Sequence, residues 1–215
     1  MKAVLYFVLL SFILCNEING QQLFANAGVT ASNFDYQNTQ GQTLNNLLAV
    51  SNGHIVSGYR TGLDRREAFF LRLAASYNAY GAIGSDAILD NYFEWDLDFI
   101  GAGVGLDVRL FRLRDFNFMF TTTLTAEYLL RGTQTINNQV FDLRGEQEFQ
   151  AFNFFFRAGP EGQYPISRSS KLTLRYTYGT SLGLISQGDD ETLNINAHQF
   201  AIGILINLPS CNCNY

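Results

Sequence analysis

The sequence predicts an all-β protein, an eight-stranded antiparallel up-and-down transmembrane β-barrel. Three observations predict it. Apolar and polar residues alternate over runs of about ten residues or more, polar segments separate eight such runs, and these segments are alternately long and short. Alternation with a period of two indicates strands, because successive side chains point to opposite faces of a sheet. Bacterial membrane barrels combine such strands with short turns at one end and longer loops at the other.

The clearest alternation lies in residues 93–131, which we interpret as the fourth and fifth strands joined by a tight turn at 112–115. In 93–99, aromatic and aliphatic residues alternate with acidic ones. From Ile100 the phase changes by one residue, and apolar residues then alternate with glycines and charged residues. We interpret the phase change as a β-bulge. All the apolar residues of the hairpin are then expected on one face, towards lipid.

The remaining strands are placed from the same alternation. They are predicted at 23–34, 54–63, 67–81, 148–164, 171–184 and 193–208. Long polar loops are predicted at 36–52 and 132–146. Pro209 ends the last strand, because proline cannot donate a hydrogen bond to a ladder. Loops after odd-numbered strands are longer than those after even-numbered strands, so both ends of the barrel chain are expected on the periplasmic side.

Composition favours a membrane barrel over other classes. Charged residues make up 15% of the chain, against about 25% in soluble domains, and 19 Phe and 19 Gly accompany only 3 Pro. The net charge of −5 comes without a basic patch interleaved with aromatic residues, so we expect no nucleic-acid partner. Beyond the leader, no segment has the ~18 consecutive apolar residues of a membrane helix. A barrel does not need them, because only alternate residues face lipid.

The chain divides into a signal peptide at 1–20, a barrel domain at 21–209 and a short tail at 210–215. Lys2 precedes an apolar core at 3–14 that is too short to cross a bilayer as a helix, so we expect the leader to be removed. Cys15 lacks the small preceding residue of lipoprotein signals, which disfavours lipidation. We assign no role to Cys211 and Cys213. A disulfide between them would be strained, because only one residue separates them, and a metal site would lack two of the usual four ligands.

Alternation alone does not decide which face meets lipid. A soluble lipocalin-like barrel or sandwich would hide the apolar face and solvate the charged one. Two features favour lipid: large aromatic residues lie near the strand ends of the apolar rows, and the opposite rows are small and polar. An eight-stranded barrel has an interior barely wide enough for side chains, and small residues with balanced charges fit there.

Twelve charged residues occupy the polar rows in the predicted register, and the two signs balance at six each. They are Arg60, Arg72, Glu94, Asp96, Asp98, Asp107, Arg109, Glu127, Arg131, Arg157, Glu161 and Arg175. A buried charge is costly unless it is paired, so we expect an ion-pair and hydrogen-bond network that closes the lumen. Gly101, Gly103 and Gly105 are expected to leave room for bulky inner neighbours such as Arg157.

Several segments carry a resemblance to a known family. The leader ends near Gln21-Gln22, the first strand contains GVTASNF at 28–34, the second contains SGYRTGL at 57–63, and the last contains FAIGILINL at 200–208. In these the chain resembles the small outer-membrane β-barrel proteins of the Bacteroidota, of the PorT-like and OmpA/OmpX-like type. The resemblance implies the barrel fold and location in the cell outer membrane. It implies little about activity, because such barrels have diverse roles.

No catalytic, cofactor-binding or metal-binding motif is recognisable, so we expect neither an enzyme nor a cofactor. The leading hypothesis is a monomeric, non-enzymatic outer-membrane protein with a structural, adhesive or secretion-associated role through its outer loops. The expected partners are outer-membrane lipid or lipopolysaccharide and other envelope or secretion proteins. One alternative is a lipid-modifying enzyme, with His198 as base beside Ser181 or Ser186. Another is a narrow pore or transporter. The acidic residues of 94–98 could hold a cation, although pairing with lumen arginines is favoured.

Overall fold

A computed structural model describes residues 20–37, 47–86, 91–144, 152–182 and 192–209. Its strands are β1 Gln22–Gln37, β2 Leu48–Gly62, β3 Phe69–Asp86, β4 Asn91–Leu113, β5 Phe116–Ile136, β6 Gln139–Asp142, β7 Phe152–Pro165, β8 Ser170–Leu182 and β9 Thr192–Asn207. Within these ranges, no helix is long and apolar enough to cross a membrane.

Eight of the strands form a closed barrel. Each pairs antiparallel with its neighbour in the chain, and β9 pairs with β1 from Gln22↔Asn207 to Gln37↔Thr192. The short β6 pairs with the end of β5, and with no other described strand, in a hairpin whose turn residues Asn137 and Asn138 both have positive φ. This conformation suits a two-residue hairpin turn. The predicted eight-stranded antiparallel barrel is therefore confirmed.

The first five strands extend further than predicted at the end with the long loops. β1 continues to Gln37 and β2 begins at Leu48, inside the predicted loop 36–52. β5 continues to Ile136 and forms its hairpin with β6 inside the predicted loop 132–146. Polar composition was therefore a poor guide to loops here, because a strand that projects into water also carries polar side chains. The rest of these loops, and those predicted after the third and seventh strands, lie largely outside the described residues.

The barrel has two zones along its axis. In the lower zone, between the tight turns and Ile100 of β4, large apolar side chains point outward and polar ones point inward. In the upper zone, from Phe99 of β4 to the outer strand ends, large apolar side chains fill the interior and the outer surface is mainly polar, although Leu48, Val140 and Phe141 are exposed there. A buried apolar cluster fills the upper zone, the upper core, which includes Phe34, Tyr80, Trp95, Leu97, Phe99, Leu129, Phe155 and Ile195. A polar outer surface with an apolar inside is the arrangement expected in water.

The bulge predicted in β4 at Phe99–Ile100 is absent from that strand. β4 pairs with β3 without interruption from Asn91 to Val108, so the apolar residues of β4 change face at Phe99–Ile100 without an inserted residue. The irregularity lies in β5, where Asp98 pairs with Arg131 and Phe99 pairs with Leu129, leaving the intervening residue extra. The side chains of 93–99 therefore have the opposite orientation to the one predicted: the apolar ones face inward.

The lower zone matches the dimensions of a membrane. The outward apolar positions of β4 run from Ile100 to Leu110. Ten steps of ~3.3 Å at a tilt of about 40° span about 25 Å, the height of the apolar band of outer-membrane barrels. Residues 91–99 of β4 then lie above that band.

Candidate functional site

The interior of the lower zone contains a cluster of buried ions, which we term the lower ion cluster: Arg60, Arg72, Asp107, Glu161 and Arg175. Arg72 Nη2 lies 2.6 Å from Asp107 Oδ2 and 3.1 Å from Glu161 Oε2. Arg60 Nη1 lies 3.2 Å from Asp107 Oδ2 and 3.4 Å from Glu161 Oε1. The Nε of Arg175 donates to Glu161 Oε2 at 2.8 Å. Because β2, β3 and β4 supply three of these residues and β7 and β8 the others, the cluster joins different sides of the wall.

Aromatic and amide groups complete the lower ion cluster. The guanidinium carbon of Arg72 lies 4.3 Å from the ring centre of Phe24, and that of Arg60 lies 4.7 Å from the ring centre of Phe70. Gln163 Nε2 donates to Glu161 Oε1 at 2.7 Å. Cation–π contacts and hydrogen bonds of this kind offset part of the cost of removing the charges from water.

A second group of ions, the upper ion cluster, lies beneath the upper core. Glu127 accepts hydrogen bonds from Arg157 Nη2 at 2.6 Å, from Asn78 Nδ2 at 2.7 Å and from Tyr80 OH at 2.9 Å. Arg157 also bonds to Tyr80 OH. The Tyr80 ring stacks on Phe155, with 5.3 Å between ring centres, and so connects this cluster to the upper core.

Glycines make room for the buried ions, at one of the predicted positions and at one that was not predicted. A Cβ at Gly101 would lie 2.9 Å from the Cγ of Glu127, while one at Gly179 on β8 would lie 2.5 Å from the Cγ of Arg157. Gly101 therefore leaves room for a bulky inner neighbour, as predicted, but that neighbour is Glu127 and not the Arg157 named as the example. Gly101 accommodates Glu127, and Gly179 accommodates Arg157.

The structure brings together seven of the twelve predicted lumen charges. Inside the barrel are Arg60, Arg72, Asp107, Glu127, Arg157, Glu161 and Arg175. The amide and hydroxyl partners Gln163, Asn78 and Tyr80 were not predicted, because the predicted network was built from charged residues alone. The positions of these three residues in the same inward rows as the charges could have predicted their participation.

The other five predicted charges lie elsewhere. Arg131 lies on the outer face of the upper zone, with Nη2 3.3 Å from Asp96 and Nε 2.9 Å from Asp98. Tyr92 OH donates to Glu94 at 3.1 Å on the same outer face. Arg109 lies at the lower rim, 3.3 Å from Glu67. Placing Glu94, Asp96, Asp98 and Arg131 in the lumen was wrong, because the segment that carries the acids projects above the lipid and faces water.

The proposed catalytic pair is not assembled. Ser181 faces inward and its Oγ accepts the backbone N–H of Ile195 at 2.8 Å. His198 faces outward, with Nδ1 2.9 Å from Tyr176 OH. A nucleophile and its base must lie within hydrogen-bond reach, and opposite faces of one sheet prevent this. Ser186 lies outside the described residues.

The remaining candidate ligands are dispersed. In the lumen, His54 has its Nδ1 3.0 Å from Thr30 Oγ1. Across the described residues, no group of three or more His, Cys, Asp and Glu side chains is arranged to hold a metal ion. Cys15, Cys211 and Cys213 lie outside those residues.

Comparison with known proteins supports the fold. Neither a protein-family model nor a curated protein matches the chain. Among solved structures, Neisserial surface protein A (NspA) matches with a TM-score of 0.52 and 10% identity, over 90% of this chain and 100% of that one. NspA is an eight-stranded outer-membrane β-barrel, and at this identity the likeness shows the fold alone.

Two further structures match less well. OprG from Pseudomonas aeruginosa has a TM-score of 0.48 and 11% identity, over 90% of this chain and 98% of that one. The protease OmpT from Escherichia coli has a TM-score of 0.47 and 5% identity, over 88% of this chain and 97% of that one. Both TM-scores are below 0.5, so neither structure adds to the conclusion drawn from NspA.

Proposed function

We propose that the chain is an integral outer-membrane β-barrel protein with a closed lumen and no catalytic activity. One observation carries this proposal: a belt of outward apolar side chains surrounds the lower zone. Each of the eight barrel strands contributes at least one exposed member, for example Val29, Ile55, Leu73, Val104, Leu124, Phe156, Leu174 and Ile202. Soluble monomers rarely expose contiguous apolar surface beyond a few hundred Å², whereas lipid requires it.

The closed lumen is the second part of the proposal. Two ion clusters lie in the lower zone, and the upper core lies above them. These side chains obstruct a continuous path for ions along the axis. This arrangement favours a structural or adhesive role over the pore or transporter alternative.

The upper zone is the part that we propose to act outside the cell. Its strands continue above the apolar belt, with a buried core inside and Asp35, Asp96 and Arg131 on the outer surface. A core of this kind makes a rigid support for the loops at its rim. Lipopolysaccharide and other envelope or secretion proteins are the partners that such loops would contact.

The lineage and the leader also belong to the proposal. Residues 28–34, 57–63 and 200–208 carry the resemblance to PorT-like barrels of the Bacteroidota. Residues 1–20 have the charge and apolar core of a signal peptide. Together these features favour export to the cell outer membrane.

Cell fractionation followed by electrophoresis tests this function. We expect the full chain, expressed with its leader, to enter the outer-membrane fraction and to migrate differently when boiled and unboiled. We also expect the purified protein to give no single-channel conductance in a planar bilayer. Recovery as a soluble protein with the same electrophoretic migration before and after boiling would contradict the membrane location. Steady conductance would contradict the closed lumen.

A further inference from the structure

Between the lower and upper ion clusters, the lumen contains a cavity of about 40 Å³. Its lining includes three arginines, Arg72, Arg157 and Arg175, together with hydroxyl and amide side chains. None of the described residues that line it is a carboxylate. Most of the cavity surface is apolar, but its charged lining residues are all arginines, so the cavity is positive in charge.

Three of the lining residues have donor atoms that remain unused. Arg72 Nη1, Arg157 Nε and Asn26 Nδ2 are buried and make no hydrogen bond to the described residues. Arg72 is buried almost completely, and its other donors are occupied by Asp107 and Glu161. A buried donor without a partner costs about 1–3 kcal/mol, and more if it is charged, so such atoms indicate an acceptor that is not part of the chain.

The net charge of the two ion clusters indicates the chemical class of this acceptor. The two ion clusters together contain four arginines, Arg60, Arg72, Arg157 and Arg175, and three carboxylates, Asp107, Glu127 and Glu161. Among these seven side chains one positive charge is uncompensated. An unpaired charge away from bulk water is unfavourable by several kcal/mol. Water in the cavity would satisfy the donors but would leave this charge in place.

We infer that the cavity binds a small monovalent anion of the chloride class. An anion in the cavity lies among the arginines Arg72, Arg157 and Arg175 and cancels the surplus charge of the two clusters. At about 10–15 Å³ of accessible volume per water, the cavity holds about three waters, which suits a halide with an accompanying water and excludes a lipid headgroup. The bound anion connects the lower cluster to the upper one, and the site does not depend on the membrane in which the barrel resides.

Bromide locates the site directly, because it replaces chloride and scatters anomalously. We expect crystals of the full barrel grown with sodium bromide to show an anomalous peak in the cavity, within hydrogen-bonding distance of Arg72 Nη1. Density of waters alone at that position, without an anomalous signal, would overturn the inference.

Stability measurements supply the second test. At equal ionic strength, which equalises the screening of surface charges, we expect chloride or bromide to raise the thermal midpoint by about 5 °C relative to gluconate. Ala201 lines the cavity and pairs in register with Arg175. Ala201→Asp places a carboxylate there and is expected to abolish the halide effect, whereas Ala201→Asn is expected to retain at least half of it.

The variants also distinguish this site from other causes. An equal halide effect in wild type and both variants would overturn the inference, because the stabilisation would then arise outside the cavity. Heat-dependent migration shows separately whether each variant folds. If Ala201→Asp does not fold, the bromide diffraction experiment on the wild type decides alone.

Discussion

Phe99 and Ile100 are consecutive residues of β4, yet Phe99 is 1% exposed inside the barrel and Ile100 is 50% exposed on its outside. Phe99 is the last residue of the inward apolar row above this point, and Ile100 is the first residue of the outward apolar row below it. The strand itself is regular here, because its pairing with β3 is uninterrupted. The change of apolar face therefore marks a change of surroundings, from water above to lipid below.

Outward charges should be destabilising below this boundary and tolerated above it. Leu124→Arg places a charge in the middle of the apolar belt and should reduce the free energy of unfolding by about 2–4 kcal/mol. Thr133→Arg, on the same strand in the upper zone, should change it by less than about 1 kcal/mol. Urea unfolding in lipid vesicles measures both. Equal losses at the two positions would show that the boundary is misplaced.

Truncation of the upper core should be costly although this core lies outside the membrane. Leu97 is completely buried, so Leu97→Ala should cost about 2–5 kcal/mol through lost burial and the cavity that remains. Leu48→Ala on β2 serves as control, because Leu48 is largely exposed and its truncation should cost about 0.5 kcal/mol or less. The same unfolding assay applies. A negligible effect of Leu97→Ala would mean that the upper zone has no packed interior.

The buried and exposed ion pairs should differ strongly in their contribution to stability. Glu161 contacts Arg60, Arg72 and Arg175 in the lumen. Glu161→Gln removes the carboxylate partner of Arg175 and leaves Arg60 and Arg72 with Asp107 alone, so it should cost about 3–5 kcal/mol. Asp96→Asn removes one partner of the exposed Arg131 and should cost about 1 kcal/mol or less. Comparable losses for the two variants would contradict the assignment of Glu161 to a buried cluster.

The hairpin of β5 and β6 offers a test by pH. The side-chain and backbone hydrogen bonds from Arg144 lower the pKa of Asp142 from 3.8 to about 2. A lowered pKa stabilises the folded hairpin above pH 3.8, and this contribution is lost as the pH falls through about 2. NMR titration of the Asp142 carboxyl carbon measures the pKa directly. Arg144→Gln should return it towards 3.8, and an unchanged value in that variant would exclude Arg144 as the cause.

The sequence predicted the barrel because strict alternation specifies strands and turn residues separate them. It also identified the buried ions Arg72, Asp107 and Glu161, which lie on strands whose polar rows face the lumen throughout the belt. It failed for Asp96 and Asp98, because alternation gives the period of a strand but does not show whether lipid or water surrounds each segment. A change of phase on one strand has two physical explanations, a bulge or a boundary, and the pairing partner distinguishes them.

The uncharged partners of the network were harder to predict. Tyr80 belongs to both the upper ion cluster and the upper core, since its ring stacks on Phe155 and its hydroxyl donates to Glu127. Its position between a polar and an apolar layer depends on strand register around the closed barrel. That register is set by long-range pairing, which a local pattern does not contain.

The membrane boundary can be measured with single nitroxide spin labels at Val104 and Thr133, after Cys15, Cys211 and Cys213 have been replaced by serine. In the protein reconstituted in vesicles, collisions with oxygen report lipid and collisions with a nickel chelate report water. We expect the label at 104 to relax mainly through oxygen and the label at 133 mainly through the nickel chelate. Equal access of the nickel chelate to both labels would contradict a membrane-spanning lower zone.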